Sequence, residues 1–185
     1  EISACLVGSE MCIRDSEMVE HLIAIGHSRI GFITGEPSYC STERLQGYLS
    51  IIDCMGLTLD PNLIAKGGIY RAGSKAADHL LEADEPPTAI LSSDDAMAAA
   101  TVAVAYRRGI DVPADLTVCG FGEAALASTI WPPLTTVGVS TEELSRSAVE
   151  LVLWKRLAGG ADISAGDRRV VLSHVLIRRQ SDRPP

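Results

Sequence analysis

Apolar positions along the chain change period at regular intervals, and those changes mark out the elements. In "EMVEHLIAIG" (17–26), Met18, Leu22 and Ile25 share one helical face and Gly26 stops the run. "RIGFITG" (29–35) is continuously apolar, as in a strand covered on both faces. "STERLQGYLSIIDCMG" (41–56) spaces Leu45, Leu49 and Ile52 helically, with Ser41 or Thr42 as its N-cap and Gly56 closing it. A short strand "LIAKGG" (63–68) and a helix "GSKAADHLLEA" (73–83) follow. The buried strand "TAILSS" (88–93) then feeds an Ala-rich helix over 94–109, which ends at Gly109 with Arg107 and Arg108 in its last turn, where the helix dipole favours cations. "LTVCGF" (116–121) and "PLTTVGV" (133–139) read as strands, 140–160 as a long amphipathic helix, 159–167 as a flexible connector and "RRVVLSHVLIRR" (168–179) as a last strand. Strands alternating with helices predict an α/β fold with a doubly wound parallel sheet.

Composition narrows the function. The formal charge is −8 at pH 7, and so acidic a surface repels phosphate backbones, so these residues alone should not bind DNA. The basic pairs Arg168-Arg169 and Arg178-Arg179 read as strand-end solvation. No apolar run approaches the ~20 residues of a membrane span. Five irregularly spaced cysteines without a C-x-x-C indicate neither a disulfide framework nor a zinc site. Cys119, inside "LTVCGF", reads as a small buried hydrophobe. A reducing, cytoplasmic setting is expected, the four histidines read as structural or surface groups, and no metal or cofactor is expected.

On an open α/β sheet, ligands bind beyond the carboxyl ends of the strands. That rule selects Arg44 after the 35–44 loop, Asp94 and Asp95 on a helix start, Tyr70 and Arg71 after the short strand, and Glu123 after 116–121. Arg, Asp and an aromatic together suit a neutral polyhydroxylated ligand, since charged groups pair with hydroxyls and a flat ring covers an apolar sugar face. Each has a plainer reading beside it: Asp94 as an N-cap, Arg44 as a solvated surface group, Tyr70 as a surface ring. "GFGEAA" (120–125) matches G-x-G-x-x-A, but "WPPL" interrupts the helix that a dinucleotide fingerprint needs. In "GGIYRAGSK", Lys75 follows Ser74 where a P-loop would have it precede. No G-x-S-x-G elbow occurs, and no enzyme activity is expected.

The blocks "HLIAIGHSRIGFITG", "ERLQGY", "PTAILSSDDAMAAA", "RRGIDVPADLTVCGFGE" and "WPPLTTV" stand in the order and spacing of the LacI/GalR family of bacterial transcriptional regulators. The resemblance runs from about Glu17 to Ser181. It implies the C-terminal part of a type I periplasmic-binding-protein-like effector domain. A small molecule, often a sugar, would bind between two lobes, and a homodimer would grip operator DNA through an N-terminal helix-turn-helix that this chain lacks. Arg44 matches the family's effector-contacting arginine, and Asp94 stands where members carry Asn or another polar contact. Cys40 falls near a small hydroxyl position, and Ile69 or Tyr70 where an aromatic stacks on the ligand. The family's Gly-aromatic-Asp block reads "GFGE" here, so Gly122 replaces the Asp and Glu123 follows as the candidate contact. Ile130 and Trp131 are candidates for the dimer interface, with packing on their own lobe as the alternative. The other function considered is a periplasmic sugar-binding protein of a transporter, which would share the fold.

Residues 1–16 break the pattern. "MCIRDS" resembles the translation of the transposase mosaic-end sequence used to fragment DNA for sequencing, and the family resemblance begins directly after it. The expected organisation is therefore an adaptor-derived lead-in over 1–16 and a partial effector domain over 17–185.

Overall fold

The computed structural model describes residues 17–122, 124–138, 141–157 and 174–185. The expected lead-in (1–16), the connector (159–167) and the first part of the last strand lie outside the described residues. Among the described residues, six strands form one sheet: β1 (Ile30–Thr34), β2 (Ile64–Lys66), β3 (Ala89–Ser92), β4 (Thr117–Phe121), β5 (Thr135–Gly138) and β6 (Val175–Ile177). Their order is β2-β1-β3-β4-β5-β6. The pairings from β2 through β5 are parallel, whereas β6 runs antiparallel to β5, with Gly138 opposite Val175. The sheet is thus mostly parallel, as expected, with one antiparallel strand at its edge.

Alternate side chains of each central strand enter different cores, which is why these runs are apolar at every position. Ile30, Phe32, Leu91, Cys119 and Val137 pack with Met18, Val19 and Leu22 of α1 (17–24) and with Tyr48 and Ile52 of α2 (Tyr39–Cys54). Ile33, Ile90 and Val118 face α3 (Tyr70–Leu81) and α4 (Asp95–Arg107), meeting Ala76, Ala77, Leu80, Met97 and Ala98. Small residues let those two helices lie close: a Cβ on Gly73 would stand 2.9 Å from Met97 Cγ. Helices on both faces make the sheet doubly wound.

Three boundaries differ from the sequence reading. α2 is capped by Ser38, not by Ser41 or Thr42: Ser41 N–H donates to Ser38 Oγ at 3.1 Å while Ser38 N–H donates to Ser41 Oγ at 2.9 Å. α3 starts at Tyr70, three residues before the expected start, with Ile69 as its N-cap residue. A five-residue helix, α5 (Ala125–Thr129), follows β4 where no element was expected. The last helix, α6 (Thr141–Leu157), and β6 expose Val149, Leu153 and Val175, an apolar surface on the segments that leave the sheet and return.

The tail 178–183 folds back across the amino ends of the strands. Ser181 accepts from Thr135 N–H at 2.8 Å and donates to the Val118 carbonyl. The fully buried Asp182 carboxylate accepts from Thr135 Oγ1, from His21 Nε2 at 2.8 Å and from Arg178 at 3.0 Å. Arg179 donates to the Leu134 carbonyl at 2.8 Å. Arg178 and Arg179 are therefore structural ties, which corrects their reading as solvation.

Candidate functional site

At the carboxyl ends of β3 and β4, α2 delivers Arg44 across the sheet. Its Nη1 donates to the Ser93 carbonyl, and its guanidinium carbon stands 3.9 Å from the centroid of the Phe121 ring. Ser93 is itself fixed, because its N–H donates to the Ile33 carbonyl at 2.9 Å. A guanidinium laid on a ring and bonded at one edge is oriented before any ligand arrives. This contradicts the reading of Arg44 as a merely solvated surface group.

Asp94 is the N-cap of α4, with Oδ1 accepting from Met97 N–H at 2.7 Å. The cap reading holds for that oxygen, and the half-buried carboxylate lies one residue from the carbonyl that Arg44 grips. Asp95 has a separate place. It is 2% exposed, with Oδ2 accepting from Ala124 N–H and Oδ1 from Thr136 Oγ1, both at 2.7 Å. A Cβ at Gly120 would stand 2.3 Å from Asp95 Oδ1, so only glycine leaves room for that carboxylate. Gly122 has φ +130°, a conformation side chains rarely adopt.

Ile69 and Tyr70 are exposed at the start of α3. Tyr70 lines a groove of about 650 Å³ with Val102, Tyr106, Leu126, Ile130 and Trp131. The structure thus brings Tyr70 together with both candidate interface residues. Trp131 is 80% exposed and Tyr106 84%, large apolar areas for one exposed face. The side chain of Cys40 and the whole of Glu123 lie outside the described residues. Sequence reasoning missed Phe121 as the platform for Arg44; an aromatic closing a buried strand at its carboxyl end was the available signal. Among the described residues no cluster of His, Cys, Asp or Glu could hold a metal ion, and no helix is long and apolar enough to cross a membrane.

The sequence pattern of the family described as "Periplasmic binding protein-like domain" matches residues 19–181. The chain belongs to this family. Its relatives are LacI-family repressors, and the region it covers is their effector-binding domain. The HTH-type transcriptional repressor CytR of Escherichia coli K12 is 40% identical over 140 residues, which are 74% of this chain and 41% of CytR. The crystal structure of the E. coli transcriptional repressor ascG superposes with a TM-score of 0.82 at 30% identity, covering 94% of this chain and 62% of that one. The regulator CelR, solved with cellobiose, superposes with a TM-score of 0.82 at 29% identity, covering 93% of this chain and 52% of CelR. The chain spans less than half the length of the CytR it matches.

Proposed function

We propose that this chain is the effector-sensing and self-associating part of a LacI-type DNA-binding regulator, without enzyme activity, acting in the cytoplasm. The observation that carries the reading is Arg44 locked between Phe121 and the Ser93 carbonyl, beside the capping carboxylate of Asp94. A fixed cation, with a carboxylate one residue beyond the carbonyl it holds, suits a neutral polyhydroxylated ligand, which offers acceptors to one and donors to the other. The cellobiose bound by CelR is a ligand of that chemistry. Ile69, Tyr70, Cys40 and Glu123 complete the candidate set. Ligand binding would favour one lobe arrangement, and operator affinity would follow through the linked equilibria. Repressor relatives favour this reading over a transport binding protein.

The groove between α3, α4 and α5 is proposed as the seat of a second copy. Its apolar floor is flanked by Arg107 and Asp111, opposite charges that a two-fold axis can pair. Calorimetric titration of the complete protein with cellobiose and common monosaccharides tests the ligand reading: binding is expected, and Arg44→Ala should weaken it at least about tenfold. If none of them binds, the carbohydrate assignment is overturned. Sedimentation of Trp131→Asp tests the groove, with a monomer expected. Reading the source locus from DNA never treated with transposase tests the origin of 1–16: the codons for "MCIRDS" should be missing.

A further inference from the structure

α5 is five residues long, too short to hold itself as a helix. Its N-cap residue is Ala124, which has no side chain able to cap. Asp95 anchors that residue instead, since its Oδ2 accepts from Ala124 N–H at 2.7 Å from a neighbouring helix. Asp95 follows Asp94 and lies two residues from Ser93, whose carbonyl Arg44 holds. Beyond Ala124, α5 and the turn after it carry Leu126, Ile130, Trp131 and Pro132, one wall of the apolar groove. One buried carboxylate therefore joins the first turn of α4, on the Arg44 side, to the groove wall.

We propose that Asp95 is a positioning residue through which the state of the Arg44 side sets the placement of α5 and the groove. The linkage is short and specific: the Arg44 guanidinium, the Ser93 carbonyl, the first turn of α4, the Asp95 carboxylate and the Ala124 amide. Gly120 leaves the carboxylate its space, and Gly122, at φ +130°, turns the chain from β4 toward Ala124. A ligand drawing on Arg44 would act on the same carbonyl and so on the same turn. The inference rests on the reading of the Arg44 side as the effector pocket and of the groove as a self-association face. Its test uses neither ligand nor dimer, so the two can fail separately.

The experiment is amide hydrogen exchange on the 185-residue chain. The reporters are the amides of Ala127, bonded to the Ala124 carbonyl at 2.8 Å, and Ile130, bonded to the Leu126 carbonyl at 3.2 Å. Arg44→Ala should change their exchange by about threefold or more, the range of energetic coupling between linked sites. In Asp95→Asn the same Arg44 substitution should leave them unchanged. Thr136→Val removes a different bond to Asp95 and keeps the one to Ala124, so transmission should survive it. That separates coupling from loosening of the region, which both variants would cause. If Asp95→Asn does not unfold cooperatively, Ala124→Pro replaces it, deleting the donor at a residue whose φ of −66° already suits proline. No response to Arg44→Ala, persistence of the response without the Asp95–Ala124 bond, or its loss in Thr136→Val would each overturn the proposal.

Discussion

The two ends of the sheet use polar side chains in opposite ways. At the amino end, His21, His27, Thr117, Thr135, Ser181 and Asp182 bond to one another or to backbone, across 46 to 161 residues of chain. At the carboxyl end, Arg44 and Asp94 are held as firmly but remain only half-buried, at the rim where ligands reach an α/β sheet. One end spends its polar groups on closure and the other on presentation. Substitutions at the first should cost stability, and at the second, recognition.

The largest effect is expected for Asp182→Ala, which strips the partner from Thr135, His21 and Arg178 together. Removing one member of a buried charged network costs about 4 kcal/mol, and calorimetric melting should show it as a fall of ~10 °C. A shift within ~2 °C would break the comparison, because the tail would then be an ornament on the sheet. Gly120→Ala comes next. Its Cβ meets a buried carboxylate oxygen at 2.3 Å, and overpacking of that kind costs about 3 kcal/mol. A smaller cost would show that the Asp95 region yields.

Acid sharpens the contrast. Burial lowers the pKa of His27, which is bonded through Nε2 to the Arg183 carbonyl and through Nδ1 to Thr88 Oγ1, both at 2.8 Å. Burial pushes the Asp182 carboxyl up, but the bonds from Thr135 and His21 and the charge of Arg178 outweigh it, and the net direction is down. Both groups bind fewer protons folded than unfolded, so stability rises with pH through each titration. The His27 contribution is complete above 6.5 and is lost as pH falls through the folded value; the Asp182 contribution goes only below 3.8. Melting temperature should therefore decline in two stages, and His27→Gln should remove the first. An unchanged first stage in that variant would place the acid sensitivity elsewhere.

Much of the architecture was legible because covered strands and amphipathic helices write their periods directly into the chain. Cys119 in its apolar run and the Ala-rich α4 needed no partner to be read. What escaped depends on distant residues. α5 is shorter than two helical turns and carries no period, and the residue before it is anchored by Asp95 from another element. The role of Asp182 leaves no local sign, because its partner His21 is 161 residues away. At the site, Arg44 and Asp94 stood out by type and position. The role of Phe121 did not, since a strand-ending aromatic gives no sign of which cation will lie on it.

Arg44→Ala should cost only about 1 kcal/mol of stability, for a half-buried cation that lies on a ring and bonds to backbone. It should weaken effector binding at least about tenfold, through the lost charged hydrogen bonds. Paired melting and titration of the complete protein measure both. A loss of several kcal/mol with intact binding would assign Arg44 to the same class as Asp182 and collapse the distinction between the ends.

The smallest effect has the opposite sign. Ser92 closes β3 with its hydroxyl buried and without a hydrogen-bond partner among the described residues. By strand alternation it shares the Ile90 face, toward α3 and α4, whereas Ser93 turns to the Arg44 side. A buried hydroxyl left unsatisfied costs about 1 kcal/mol or more, and deleting one oxygen leaves little void. Ser92→Ala should then stabilise the fold by ~0.5 kcal/mol, with ligand affinity unchanged, because the side chain points away from the rim. Chemical denaturation resolves that change. Destabilisation instead would mean that the hydroxyl is satisfied in solution, and the carboxyl end would prove as closed beneath its rim as the amino end is throughout.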